Sequence, residues 1–264
     1  MVEVSDVSVA RESAMSAFRG RTAVVTGAGR GIGRSTAMAL ASAGARVFVL
    51  ARTTSELEET AASIRAGGGE SLAIPTDVGD AASVARAVEQ IGDAGGVDIL
   101  VNNAAIVWPL GATATLDLAA WWTAMEVNVR GAFQLTLGVL PGMLERHWGR
   151  IVNVSSGIVS RPASMIGGNA YATSKAALEA HSLNLASELS GSGVTVNVYR
   201  PGTVDTQMQA WIRRQPGEEI GEALHQRFVE MYESGTLITP DQSARSLVAH
   251  LLSEATGEIW NVEH

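Results

Sequence analysis

From Arg21 onward the chain alternates short β-branched and apolar runs with longer alanine-rich stretches. Short apolar runs suit strands buried on both faces, and the longer stretches suit helices that cover those faces, so the pattern predicts parallel strands joined by crossover helices. Strands are expected at Thr22–Thr26, Arg46–Leu50, Ser71–Pro75, Ile99–Asn102, Arg150–Val154, Thr195–Tyr199 and Glu258–Asn261. Helices are expected to begin near Gly31, Thr54, Asp80, Asp117, Asn169 and Thr239. Leu116–Trp148 is too long for one connector and reads as two helices broken near Arg130 and Gly131. The expectation is an α/β protein with one doubly wound, seven-stranded parallel sheet. It forms a single domain over residues 20–264, preceded by an extension at residues 1–19. Pro216-Gly217 lies in a polar, acidic stretch, Arg213–Glu222, that reads as an insertion, and residues 207–234 around it read as either a lid over a ligand or a plain surface loop.

Composition narrows the function classes. A length of 264 residues with 46% apolar and only 17% charged residues suits a substantial interior rather than disorder. The formal charge of −8 disfavours a general nucleic-acid surface, which needs a clustered basic face. With no cysteine there is no disulfide, thiolate metal site or cysteine nucleophile, and a cytoplasmic location is expected. Residues 1–20 carry Glu3, Asp6 and Glu12 without a sustained apolar core, so they do not read as a secretory signal. No apolar run approaches the roughly 18 residues of a membrane span, so no membrane partner is expected. His147, His181, His225, His250 and His264 are scattered, and neither a metal site nor a hydrolase triad is expected from them.

Candidate chemistry enters after the first strand, where Thr26-Gly27-Ala28-Gly29-Arg30-Gly31-Ile32-Gly33 leads into an alanine-rich helix. Glycine permits a tight turn and lets main-chain N–H groups approach a pyrophosphate, whose charge the helix N-terminus stabilises. The glycines alone read as well as a structural turn; strand, turn and helix in that order point to a nucleotide. With isoleucine at position 32, the spacing is T-G-x-x-x-G-x-G rather than G-x-G-x-x-G.

That octapeptide resembles the cofactor fingerprint of the short-chain dehydrogenases/reductases in their shorter form. Further matches follow in order: Asp77-Val78, Asn102-Asn103-Ala104-Ala105, Asn128 within Val127-Asn128-Val129, and Ile151 to Ser156. After these come Tyr171-Ala172-Thr173-Ser174-Lys175 and Pro201-Gly202-Thr203-Val204-Asp205-Thr206. The resemblance covers roughly residues 20–262. Ala105 stands where the family usually has glycine, and the chain lacks the family's glycine-rich finish. Ser156 precedes Tyr171 by fifteen positions, slightly more than is usual, which leaves Ser155 as an alternative for the serine role.

The resemblance implies a Rossmann-like fold and hydride exchange between a nicotinamide and a ketone/secondary alcohol pair. It implies catalytic roles for Asn128, Ser156, Tyr171 and Lys175, with Asn128 fixing a water that connects Lys175 to solvent. Cofactor contacts are implied at Gly27, Arg30, Gly31, Ile32 and Gly33, at Arg52 and Thr53, at Asp77 and Val78 beside adenine, and at Asn103 and Ala104 beside the adenosine ribose. Tyr171, Lys175, Pro201, Gly202, Val204 and Thr206 complete the set. A homotetramer is implied through the helices of Leu116–Trp148 and Asn169–Ser190.

The spacing i, i+4 places Tyr171 and Lys175 on one helix face. A tyrosine pKa of about 10 lies about three units above neutrality, so a neutral value needs ~4 kcal/mol of phenolate stabilisation. One lysine charge about 5 Å away supplies ~3 kcal/mol at an effective dielectric near 20, with desolvation opposing it. Ser156 is expected to hydrogen-bond the reacting oxygen. Ile106, Val107, Trp108, Ile158, Val159, Met165, Ile166, Met208 and Trp211 suggest a small-molecule substrate that is partly apolar, or else ordinary packing.

Cofactor choice rests on Val49-Leu50-Ala51-Arg52-Thr53. NAD-selective members of the family it resembles commonly place an acidic residue at the position of Ala51, where it accepts from the ribose hydroxyls and repels a 2′-phosphate. Ala51 with Arg52 and Arg30 therefore favours NADP(H). The alternatives are NAD(H) dependence, or a nucleotide-sensing protein without catalysis.

Overall fold

The computed structural model describes residues 16–262. The seven strands are β1 Thr22–Thr26, β2 Arg46–Ala51, β3 Ser71–Pro75, β4 Ile99–Asn102, β5 Gly149–Val154, β6 Val194–Arg200 and β7 Ile259–Asn261. The helices are α1 Gly31–Ser42, α2 Thr54–Ala66, α3 Ala81–Asp93, α4 Leu118–Met125, α5 Gly131–Glu145, α6 Asn169–Glu188, α7 Gln207–Arg213, α8 Glu222–Glu233 and α9 Pro240–His250. The strands form one parallel sheet in the order β3-β2-β1-β4-β5-β6-β7. This is the doubly wound, Rossmann-like α/β fold expected of the pattern.

The polar punctuation explains why the helix starts were legible. Asp80 accepts from the N–H groups of Ala82 and Ser83, Asp117 accepts from that of Ala120, and Thr239 forms a reciprocal capping box with Gln242. The central strands are buried almost throughout, so apolar residues serve both faces. On one face Val24, Phe48, Leu100 and Ile151 join side chains of α3, α5 and α6; on the other, Val25, Val49, Val101 and Val152 join α1, α2 and α9.

Three expectations at sequence level meet a different structure. The expected break near Arg130 and Gly131 is no break: α4 continues through a π-helical segment, Glu126–Arg130, into α5. The Gly131 N–H donates to the Glu126 carbonyl five residues back, which widens the turn and redirects Asn128 inward. Arg213–Glu222, read as an insertion, holds a single helical turn at Gly217–Ile220 between α7 and α8. The wider segment 207–234 is largely helical and buries Ile212, Ile220, Leu224 and Phe228 against Val107, Ile158 and Met165. Phe18, placed in the expected extension, is buried in the α1, α2 and α9 layer, and its N–H donates to the Ala43 carbonyl. Residues 1–15 of that extension and the last two residues lie outside the described residues. Among the described residues no helix is long and apolar enough to cross a membrane.

Candidate active site

The strand order reverses between β1 and β4, opening a crevice at the carboxyl ends of the strands, where doubly wound sheets bind ligands. A cleft of about 500 Å³ lies there, running from the glycine turn past the ends of β2, β3 and β4 to Tyr171 and Thr206. A second compartment of about 280 Å³ adjoins it, and the two share Ile32, Val107, Tyr171, Pro201, Thr206 and Met208.

The glycine turn fits a pyrophosphate by its backbone. Gly31 has a φ of +53°, and a Cβ there would project to 3.5 Å from Thr206 Cγ2, across the mouth of the cleft. Gly33 faces inward instead. A Cβ on it would come within 2.3 Å of the Gly27 carbonyl oxygen, so its role is to let α1 close onto the turn. No side chain caps the first turn of α1, which leaves its N–H groups to meet an anion. Thr26 ties this turn to β4: its hydroxyl oxygen accepts from the N–H groups of Asn103 and Ala104, both at 2.9 Å, while the Asn103 amide donates to the Thr26 carbonyl at 2.8 Å.

Most expected cofactor residues line the larger cleft: Gly27, Arg30, Gly31, Ile32, Arg52, Thr53, Asp77, Val78, Asn103, Ala104, Tyr171, Lys175, Pro201 and Thr206. Gly202 and Val204 line the second compartment, as does Ser156. Sequence reasoning missed Glu56 and Gln207, which also line the cleft. Arg30 Nη1 donates to Gln207 Oε1 at 2.7 Å and pairs with Glu56 Oε1 at 3.3 Å. Arg30 thus bridges the cleft mouth from the glycine turn to the start of α7 while neutralising a carboxylate.

At the junction of the two compartments, α6 presents Tyr171 and Lys175. Burial pushes the Tyr171 phenol above its ordinary value, and the Ser156 hydroxyl, hydrogen-bonded to it, acts in the opposite direction. Desolvation therefore outweighs the Ser156 hydrogen bond, and with its pKa above the ordinary tyrosine value the group is a neutral phenol at pH 7. The Lys175 ammonium donates to the Val154 carbonyl at 2.7 Å and lies 5.9 Å from the centre of the Tyr171 ring. Burial pulls its pKa down to about 8, opposed by the charge of Glu179, so lysine keeps its proton at neutral pH.

Ser155 and Ser156 diverge. The Ser155 hydroxyl donates to Glu179 at 2.7 Å, away from Tyr171, which leaves Ser156 beside the phenol. Glu179 accepts two further hydrogen bonds from Arg200, at 2.9 and 2.8 Å, and these hold the Arg200 guanidinium above its ordinary pKa. This buried carboxylate and its arginine support Lys175 from behind, and sequence reasoning singled out neither. The signal available was Glu179 at four positions beyond Lys175 on the same helix face.

Asn128 stands apart from both compartments. Its carbonyl oxygen accepts from the Ile106 N–H, and its amide donates to the Ile106 carbonyl and to the Ser174 hydroxyl, all at 2.8–2.9 Å. It joins the segment after β4 to the helix that carries Tyr171. Of the residues expected around a substrate, Val107, Ile158, Met165 and Met208 line the smaller compartment, Ile106, Trp108 and Trp211 the larger, Val159 packs beneath them, and Ile166 is exposed. Among the described residues no cluster of His, Cys, Asp and Glu can hold a metal ion.

The family described as short chain dehydrogenase matches residues 21–217. Similar proteins include a short chain dehydrogenase of Pseudocercospora fijiensis, 39% identical over 206 residues, which are 77% of this chain and 66% of that protein. Another is the short-chain reductase protein NovJ of Streptomyces niveus, 35% identical over 266 residues, 98% of this chain and 95% of that protein. In three dimensions the chain resembles a variant of actinorhodin polyketide ketoreductase solved with NADPH, with a TM-score of 0.81 and 34% identity, covering 92% of this chain and 95% of that one.

Proposed function

Since the chain belongs to the short chain dehydrogenase family and is thereby an oxidoreductase of keto and alcohol groups, we propose that it is NADP(H)-dependent, with Tyr171 as its general acid/base. The observation that carries this reading is the position of Tyr171 at the shared wall of the two compartments, between Ser156 and Lys175. When bound, the nicotinamide supplies or accepts the hydride. In the reducing direction the neutral Tyr171 phenol donates its proton to the substrate oxygen, and the Ser156 hydroxyl donates a hydrogen bond to the same atom. The charged Lys175 offsets the phenolate that remains. In the oxidising direction the same groups act in reverse, Tyr171 accepting the alcohol proton. Asn128 acts by holding α6 in place and by ordering the water route to Lys175. The cover formed by residues 207–234 closes the substrate compartment.

The preference for NADP(H) follows from charge. Ala51 ends β2 without a carboxylate to repel a 2′-phosphate, and Arg52 lies on the cleft wall beside it. Arg30 is occupied in neutralising Glu56, so Arg52 is the principal phosphate contact. Wild-type kcat/KM is expected to favour NADPH over NADH, and Ala51→Asp combined with Arg52→Ala should shift that ratio towards NADH by about ten- to hundredfold, the scale of one or two charge-assisted hydrogen bonds. A wild-type preference for NADH would sink the cofactor assignment and leave the catalytic one standing.

The protein is further read as a cytoplasmic homotetramer. Leu118, Trp122, Phe133 and Leu137 on α4 and α5 are exposed apolar residues suited to a subunit contact. Light scattering at micromolar concentration should give a multiple of 27.5 kDa, and the monomer mass would contradict this reading.

A further inference from the structure

The compartment beside Tyr171 carries a charge opposite to that of the molecule. The chain has 27 acidic and 19 basic residues, yet the walls of this compartment hold Arg161 and Arg227 and no aspartate or glutamate. The same walls carry the apolar Ile158, Met165, Ile212, Phe228 and Met231 alongside the polar Ser164, Thr203, Thr206 and Gln209. Arg161 lies between two short 3-10 turns, Gly157–Ser160 and Pro162–Ser164, that follow β5. Arg227 comes from α8 and donates from Nη1 to the carbonyl of Ser164, three residues beyond Arg161, so the short segment that carries one arginine also anchors the other. One N–H of Arg227 is used there, and a guanidinium carries five.

We propose that this corner receives an anion, and that the substrate is a small keto acid: a carbonyl at Tyr171, a short apolar segment, and a carboxylate held by Arg161 and Arg227. The inference rests on the reading of Tyr171 as the proton donor and extends it to substrate class. Two arginines that line one compartment without an acidic residue on its walls leave its positive charge uncompensated there. A carboxylate compensates that charge and accepts charge-assisted hydrogen bonds, whereas a neutral chain end of the same length does neither. The volume of about 280 Å³ sits at the lower edge of the ~300–1,000 Å³ common for drug-sized ligands, which limits the substrate to a short chain.

The test is a set of ketones of equal chain length ending in carboxylate, phosphate or methyl, each reduced with NADPH by the wild-type protein and by Arg161→Ala, Arg227→Ala and Arg227→Lys. The carboxylate-ended ketone should exceed the methyl-ended one in kcat/KM by about ten- to hundredfold, the scale of one charge-assisted hydrogen bond. Each alanine variant should lower that ratio by about tenfold or more on the same scale, and Arg227→Lys should restore part of it. A phosphate-ended ketone that outperforms the carboxylate would overturn the keto-acid assignment in favour of a phosphorylated ketone. Equal ratios in wild type and both alanine variants would overturn the anion corner itself. Should wild type turn over none of the ketones, the reading of Tyr171 fails separately. Calorimetry of the keto acid against the NADPH complex of Tyr171→Phe then decides the anion corner: binding lost in the Arg161→Ala background supports it, and no binding refutes it.

Discussion

The larger cleft is built around turns at the strand ends: the glycine turn after β1, Ala51 at the end of β2, and Asn103 and Ala104 after β4. The smaller compartment is walled mostly by side chains from α7, α8 and the loop after β5. In the first, small residues in ordered turns leave main-chain N–H groups open to an anion. In the second, Met, Ile, Phe and Arg side chains on short helices shape a space that can change without disturbing the sheet. One scaffold thus separates a fixed task from a variable one, and Tyr171 stands where they meet.

The comparison can be broken from either side, and the cofactor side should respond more. Gly33→Ala places a Cβ 2.3 Å from the Gly27 carbonyl oxygen, a main-chain atom that cannot step aside alone. Overpacking of this kind costs about 1–3 kcal/mol, so NADPH affinity should fall by about tenfold or more in a fluorescence titration. An unchanged affinity would show that the cleft does not depend on close approach of main chain.

Leu224→Ala should give the smaller effect and the opposite selectivity. Leu224 is buried in the cover, and its loss leaves a cavity beneath α8 rather than beside the glycine turn. Because a cover helix can relax into such a cavity, the ketone KM should rise only about three- to tenfold while NADPH affinity stays within about twofold. Parallel losses in both would mean that the cover and the cofactor cleft are one unit.

The two regions also differed in how far the sequence revealed them. Strand ends and the glycine turn were legible because each is fixed locally, by apolar runs, a glycine at positive φ and side chains such as Asp80 that cap their own helix. The cover was not. Leu224, Phe228 and Met231 have the i, i+4, i+7 spacing of an amphipathic helix, but the acidic Arg213–Glu222 stretch beside them drew the reading of an insertion, lid or loop. Their partners Val107, Ile158 and Met165 come from distant loops, which no local pattern connects to them. Asn128 lies between these cases. Its position was legible, but its clamp on Ile106 and Ser174 required the π-helical segment, and a periodicity of 3.6 residues does not anticipate that segment. Arg200 was missed because an ion pair between a helix and a strand leaves no spacing to read, and Glu179 because its i, i+4 offset from Lys175 is also that of an ordinary surface pair.

The central claim is that the proton transferred in this fold is held by Tyr171. It is tested most directly by single-turnover oxidation of NADPH with a reactive ketone, followed in wild type and in Tyr171→Phe, with NADPH affinity measured on the same preparations. Removing the phenolic oxygen while keeping the ring should slow the turnover by about 10²–10⁴-fold, the usual contribution of a positioned acid or base, and leave NADPH affinity within about twofold. A folded phenylalanine variant that binds NADPH and turns over at a rate near wild type would contradict the account.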